Sequence, residues 1–410
     1  MEGAFGVQSP PSFIAARKRE VERVDKVTCL FFLDSFWGSI NRGMSNLATV
    51  ANLSTTTAQL PVAWYFDPKI YELEQKYLFS RGPNYVGHEL MVPNHGDYFP
   101  LQLLDHSKML VHNDTGVELI GNVCRHRQAI IHKEKGNGQN IVCPLHRWTY
   151  DLEGKLLGAP HFPRNPCKHL PKAELQSWRG MLFDSKRDIA DDLASLSIAK
   201  DIDFTDYVLD KVEVKEYDVN WKTFIEVYLE DYHVEPFHPG LGNFVNCADL
   251  KWEYGAWYSV QTVGVKNALA KAGTATYDKW HQAVRNFRNG IAPSSGAIWM
   301  VYYPNIMIEW YPHVLVINTL IPRGPENSTS IVEFYYPEEL AFFERDFVEA
   351  QQKAYHETAV EDDEICHRMT EGRRALWAQD QDDQGPYQSP MEDGMEHFHE
   401  FIWTQIGPHM

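Results

Sequence analysis

The sequence is short of positive charge. Its 410 residues carry 38 Lys and Arg against 56 Asp and Glu, a formal net charge of −18. A nucleic-acid binder needs a basic face, and none is expected here. No run of about 18 apolar residues occurs, so no transmembrane helix is expected. There is no internal repeat and no low-complexity tract. No Gly-x-Gly-x-x-Gly opens a helix, which argues against a nicotinamide site within the chain. Cysteine is sparse, with six in all: Cys29, Cys124, Cys143, Cys167, Cys247 and Cys366. Four of them are far apart, which fits separate thiols in a reducing, cytoplasmic setting and not a disulfide framework.

What is present suits a globular chain of two domains. Hydrophobic residues make up 44% and charged residues 23%, and the length supports two sizeable cores. Residues 1–59 are expected to be a disordered or misassigned extension, with Met44 as an alternative start. Order should begin near Leu60. Asp67-Pro68 reads as a helix start, with Asp as N-cap and Pro at the first helical position. Residues 60–190 are rich in Pro and Gly turns between short strand-like runs such as 108–112 and 117–123, the pattern of a small all-β domain. An acidic, helical-looking connector spans 188–204. Residues 191–410 then show strand-like runs at 212–219, 257–263, 298–303, 306–311, 314–321 and 331–336. Helical patterns follow at 338–355, 361–379 and 395–405. The predicted fold is α+β: an all-β N-terminal domain, then an antiparallel sheet flanked by helices.

Two short stretches carry the strongest chemical signal. Cys124-Arg125-His126 and Cys143-Pro144-Leu145-His146 form Cys-x-His, sixteen intervening residues, then Cys-x-x-His. One iron of a Rieske [2Fe–2S] centre takes two Cys and the other takes two His. A structural zinc site would pair its cysteines in one half and its histidines in the other. Pro144 and Trp148 are placed to shield such a cluster from water.

The second signal is Tyr228-Leu229-Glu230-Asp231-Tyr232-His233, followed by His238. Helical spacing sets the two histidines toward one side, with Pro236 breaking the turn between them. Two His and one carboxylate make the facial triad of non-haem Fe(II) oxygenases. The spacing leaves the carboxylate open among Glu361, Asp362, Asp363 and Glu364.

With these motifs the chain, from about Leu60 onward, resembles the catalytic α subunits of Rieske non-haem iron oxygenases, the ring-hydroxylating and N-demethylating type. Asn-Val-Cys-Arg-His-Arg at 122–127, Cys-Pro-Leu-His-Arg-Trp at 143–148, Asn-Trp-Lys at 220–222 and the Glu361-Asp362-x-x-Ile365-Cys366 segment carry the likeness. The resemblance implies that Asp362 is the third iron ligand. It implies that Glu230 bridges the mononuclear iron to His146 of a neighbouring subunit, and hence a homotrimer. It also implies a separate NAD(P)H-dependent reductase, with or without a ferredoxin, for which the acidic surface favours a basic partner. Two departures stand out: Gln128 where the family commonly has Gly, and Val227 where many members have Asn.

The later strands are rich in aromatics, including Trp257, Tyr258, Trp299, Tyr302, Tyr303, Trp310 and Tyr311. The leading expectation is hydroxylation of an aromatic or related small organic compound. The alternative is N-demethylation or hydroxylation of a quaternary-ammonium compound, held by cation–π attraction. A pure Rieske electron carrier is the reading from a different class; it has no use for His233, His238 and Asp362.

Overall fold

The computed structural model describes residues 59–410. The expected extension and the alternative start at Met44 lie outside the described residues. Among the described residues no helix is long and apolar enough to cross a membrane.

Asp67 caps the helix Pro68–Leu73 by accepting from the Lys69 N–H at 2.9 Å. This segment packs away from the all-β part that follows it. Leu60, Val62, Trp64, Ile70 and Leu78 are buried in one cluster with Trp221, Ile225, Phe398 and Ile402. A buried polar anchor fixes the contact. The Trp221 indole donates to Glu74 at 2.8 Å, and the Lys222 ammonium pairs with the same carboxylate, both charged groups being fully enclosed. The Asn-Trp-Lys run at 220–222 is thus structural. Asn220 caps its own helix and also donates to the Pro325 and Tyr65 carbonyls.

The all-β part contains three antiparallel sheets. The largest has five strands, ordered Gly136–Asn137, Asp97–Pro100, Lys108–Asn113, Gly116–Gly121, Lys172–Ala173. The sheet of Ile141–Val142, Thr149–Tyr150 and Leu156–Gly158 carries the second Cys/His loop on its hairpin. The sheet of Tyr85–His88, Met181–Phe183 and Gln176–Trp178 reaches the rest of the chain. There the buried His88 ring lies against Phe204 and Tyr335. Gly180, at φ +82°, leaves room for that ring: a Cβ would stand 2.5 Å from it.

The second part is built on one seven-stranded antiparallel sheet. Tyr207–Tyr217 pairs with the last strand, Asn327–Pro337, and the order then runs back through Val314–Gly324, Ile306–Tyr311, Ala297–Tyr302, Tyr258–Val265 and Val245–Tyr254. Both faces of its centre are covered, so the strands read as near-continuous apolar runs. Alternation still sorts the side chains. Val314 and Val316 enter one core, while Leu315 and Ile317 enter another on the opposite face. The first of these cores is roofed by the helix Ala275–Phe287 and by Arg345–Trp377, which crosses the sheet for 33 residues.

Three local expectations change. The helical patterns at 338–355 and 361–379 become the short helix Glu338–Phe343 and one unbroken helix Arg345–Trp377. The carboxylates at 361–364 therefore sit mid-helix, not at a solvated N-terminus. The helix Trp221–Tyr228 ends before the two histidines, which bracket a separate single turn, Val234–Phe237. Pro236 sits within that turn, where its missing N–H leaves no bond unmade, and breaks nothing. The 188–204 connector holds only the single turn Ile189–Asp192 and a 3-10 turn at Ser197–Lys200.

Candidate metal centres

The two Cys/His loops fold alike. In each, the Cys carbonyl accepts the N–H four residues on: Gln128 to Cys124, 3.1 Å, and Arg147 to Cys143, 3.1 Å. Each Cys N–H returns to the carbonyl five residues on, Ala129 at 2.8 Å and Trp148 at 2.9 Å. The turn forces its fourth following residue into the left-handed region, with φ 55° at Gln128 and 60° at Arg147. This is the conformation glycine adopts without strain, so Gln128 keeps the loop shape at a conformational cost.

The four side chains meet at the loop tips. Both cysteines are buried and free. The His126 and His146 rings lie 4.7 Å apart, and Trp148 stacks on His126 at 4.9 Å. His126 Nδ1 is buried with no hydrogen-bond partner. An unpaired buried nitrogen beside two free thiols suits a cluster that takes up all of these donors. Of the two expected shielding residues, Trp148 is buried, whereas Pro144 lies exposed at the tip. His146 is exposed too, next to the exposed Leu145 and Phe162.

The second centre gathers His233, His238 and Asp362, whose ligand atoms all lie within 4.8 Å of one another. The two histidines cap the single turn Val234–Phe237 at either end, and the long helix brings Asp362 across from the roof. Asp362 Oδ1 stands 3.0 Å from His238 Nε2 and 3.5 Å from His233 Nε2. Each imidazole is gripped from behind. Glu361 Oε2 lies 2.7 Å from His238 Nδ1, and a Glu230 oxygen bonds His233 Nδ1. These carboxylates favour N–H at Nδ1 and leave Nε2 free to ligate, as partners of metal-bound histidines do.

The site draws positive charge. Burial works to lower the His233 pKa, but Asp362 and Glu230 outweigh it and push it up to about 10. Burial likewise works to raise Asp362, yet the two imidazoles hold it below the usual carboxylate range. A divalent cation bound at this donor set displaces those protons.

The triad opens onto a cavity of about 110 Å3. Val227 lines it in place of the Asn that many members carry, and the amides in its lining are Asn318 and Gln351. Of the aromatic stripe only Trp299 and Tyr311 reach this cavity. Tyr258, Tyr302 and Trp310 belong to the opposite core, and Trp257 and Tyr303 to a third cluster. Glu309 on the cavity wall goes beyond the sequence-based candidates, and Glu361, one of the four candidate carboxylates, holds His238 from behind and is not placed as a ligand. A lone acid in the apolar run Ile306-Met307-Ile308-Glu309-Trp310-Tyr311 was the available signal for the first.

Comparison with known proteins matches the parts of the chain that carry the two centres. Residues 83–178 match the Rieske [2Fe-2S] domain, and residues 204–407 match the ring hydroxylating alpha subunit (catalytic domain). The chain is 62% identical to putrescine 2-hydroxylase of Ralstonia nicotianae over 358 residues, covering 87% of this chain and 98% of that protein. It is 52% identical to putrescine 2-hydroxylase of Bordetella bronchiseptica, covering 89% and 88%. Among solved structures, a quaternary ammonium Rieske monooxygenase in complex with an inhibitor superposes with a TM-score of 0.68 at 18% identity, covering 85% of this chain and 95% of that one. The chain belongs to the Rieske non-haem iron oxygenases, as a catalytic α subunit that carries a [2Fe–2S] cluster and a mononuclear iron, and that uses O2, a separate reductase and a small-molecule substrate.

Proposed function

We propose that this chain hydroxylates putrescine, a short aliphatic diamine that is doubly charged at neutral pH. The observation that carries the reading is the charge of the cavity beside the triad. Four carboxylates line it: Asp362 and Glu230 are committed to the triad, Glu309 and Asp231 are not, and no Lys or Arg lines it. A neutral arene would leave buried carboxylates uncompensated, which is costly; a dication compensates them. The two relatives named for putrescine favour the same substrate.

In this proposal Cys124, His126, Cys143 and His146 hold the cluster, and His233, His238 and Asp362 hold the iron. The iron supplies O2 activation and the cluster supplies electrons. The chain's own residues position and enclose. Glu361 and Glu230 fix the two imidazoles, while Trp299 and Tyr311 wall the cavity from water. Glu230 also offers the path from the iron to His146 of the partner subunit, and the exposure of His146 and Leu145 supports such docking. That path needs a ring of copies, so we place the enzyme as a homotrimer. The five described cysteines are unpaired, which favours a cytoplasmic setting. The electron-carrier reading leaves the triad without a task.

The test supplies holoenzyme with a reductase, putrescine and 18O2, and reads the product by mass spectrometry. One labelled oxygen on a carbon of the intact diamine is the expected result. Putrescine recovered unlabelled, while another amine or an aromatic acid gains oxygen, would sink this substrate assignment.

A further inference from the structure

Glu309 stands where a strand normally places an apolar side chain. Its cross-strand neighbours are Trp299 and Val316, which both point into the core under the long helix. The carboxylate is 2% exposed. One oxygen accepts from the Tyr311 hydroxyl at 2.8 Å, and the other from the Tyr355 hydroxyl at 2.9 Å. Tyr311 is itself fixed, because it accepts from the Trp299 indole at 2.9 Å. The groups acting on Glu309 are thus two phenols and the Asp362 carboxylate, with no side-chain cation among them. Burial pushes its carboxyl up to about 7 against the pull of both phenols. Nearby, both Asp231 oxygens and the Tyr228 hydroxyl are buried without a hydrogen-bond partner. These groups line the same cavity as the triad.

Two phenols already orient the Glu309 carboxylate, and one hydrogen bond per oxygen leaves acceptor capacity on each. What is missing is a positive charge that can also donate. A quaternary ammonium brings charge but no N–H. A primary ammonium brings both, and three donors.

We infer that Glu309, held open by Tyr311 and Tyr355, is the anchor for a terminal ammonium of the substrate and selects primary amines over quaternary ones. This rests on the putrescine reading above and adds the residue that enforces it. The Tyr228 hydroxyl stands near Glu309, and Asp231, beside Glu230 and His233, is the remaining unpartnered carboxylate in the cavity for the other end of the diamine.

The test measures binding to the holoenzyme by anaerobic calorimetry, without turnover, using putrescine and 1-butylamine. In the wild type, loss of one ammonium weakens binding. Glu309→Gln should raise the putrescine Kd by at least roughly 30-fold, the effect of removing one partner of a buried charge pair. In that variant the preference for putrescine over 1-butylamine should collapse. Glu309→Asp keeps the charge and should retain part of the affinity, which a purely structural role would not predict. Melting temperature, iron content and the visible spectrum of the Gln variant should match the wild type. If the Gln variant does not fold, the Asp variant decides: withdrawing the carboxylate by one carbon must still weaken putrescine binding. An unchanged Kd overturns the anchor but leaves the substrate reading intact. A wild type that does not bind putrescine overturns both.

Discussion

Glu361 and Asp362 are adjacent on one helix, yet the structure gives them different work, and exchanging each for alanine separates the two. Asp362 Oδ1 faces both Nε2 atoms. Glu361 touches only the far side of one ring, at His238 Nδ1, 2.7 Å away. Loss of a carboxylate that orients a metal-bound histidine typically weakens metal binding by about 10–100-fold, or about 1.4–2.7 kcal/mol. Glu361→Ala should fall in that range, because His238 itself remains and only its orientation is loosened. Asp362→Ala removes a donor atom and should lose more, leaving the site effectively empty at ordinary iron concentrations. The assay titrates Fe(II) into protein stripped of mononuclear iron, against a competing chelator. The cluster's visible absorbance serves as an internal control for folding. Equal losses from the two variants, or a larger loss from Glu361→Ala, would refute the division of roles. A Glu361→Ala affinity equal to wild type would refute the orienting contact.

Two further outcomes follow from the all-β part. His88 is buried, accepts from the Leu90 N–H through Nδ1, and has its pKa lowered by burial to about 4. The unfolded state, with a pKa near 6.5, therefore binds the proton first as pH falls. Stability should be full above about pH 6.5 and should drop by about 3 kcal/mol by pH 4; a His88→Gln variant whose denaturation midpoint falls just as steeply with pH would refute this. Gln128 is exposed and at φ 55°, so Gln128→Gly should stabilise the first cluster loop by up to about 1 kcal/mol. Thermal bleaching of the cluster reads it, and a lower bleaching temperature would count against the strain.

Much of this was legible in the sequence where chemistry constrains spacing. The Cys/His loops and the 233/238 pair are short-range patterns, and each half folds as one local turn. The strands from 298 to 336 were legible because both faces of the sheet are covered, which writes them as unbroken apolar runs. Residues whose role depends on distant partners were less so. Glu361 matters because His238, 123 positions away, lies under it. Glu309 matters through Tyr355, on the long helix that roofs the same face of the sheet. The helix Ala275–Phe287 did carry its own signal, with Tyr277, Trp280, His281 and Val284 on one face and Thr274 as N-cap. The strand Val245–Tyr254 did not: it is an edge strand with an irregular register, and its alternation is blurred by a bulge.

The likeness of the two cluster loops has a consequence for the speed of electron movement. Each cysteine is tied at both its N–H and its carbonyl, and the Leu145 and His146 amides also point at the Cys143 sulfur. A frame fixed at so many points barely rearranges when the charge it surrounds changes by one. The loops' share of the nuclear rearrangement is then small, and the rest falls to the water around the exposed His146.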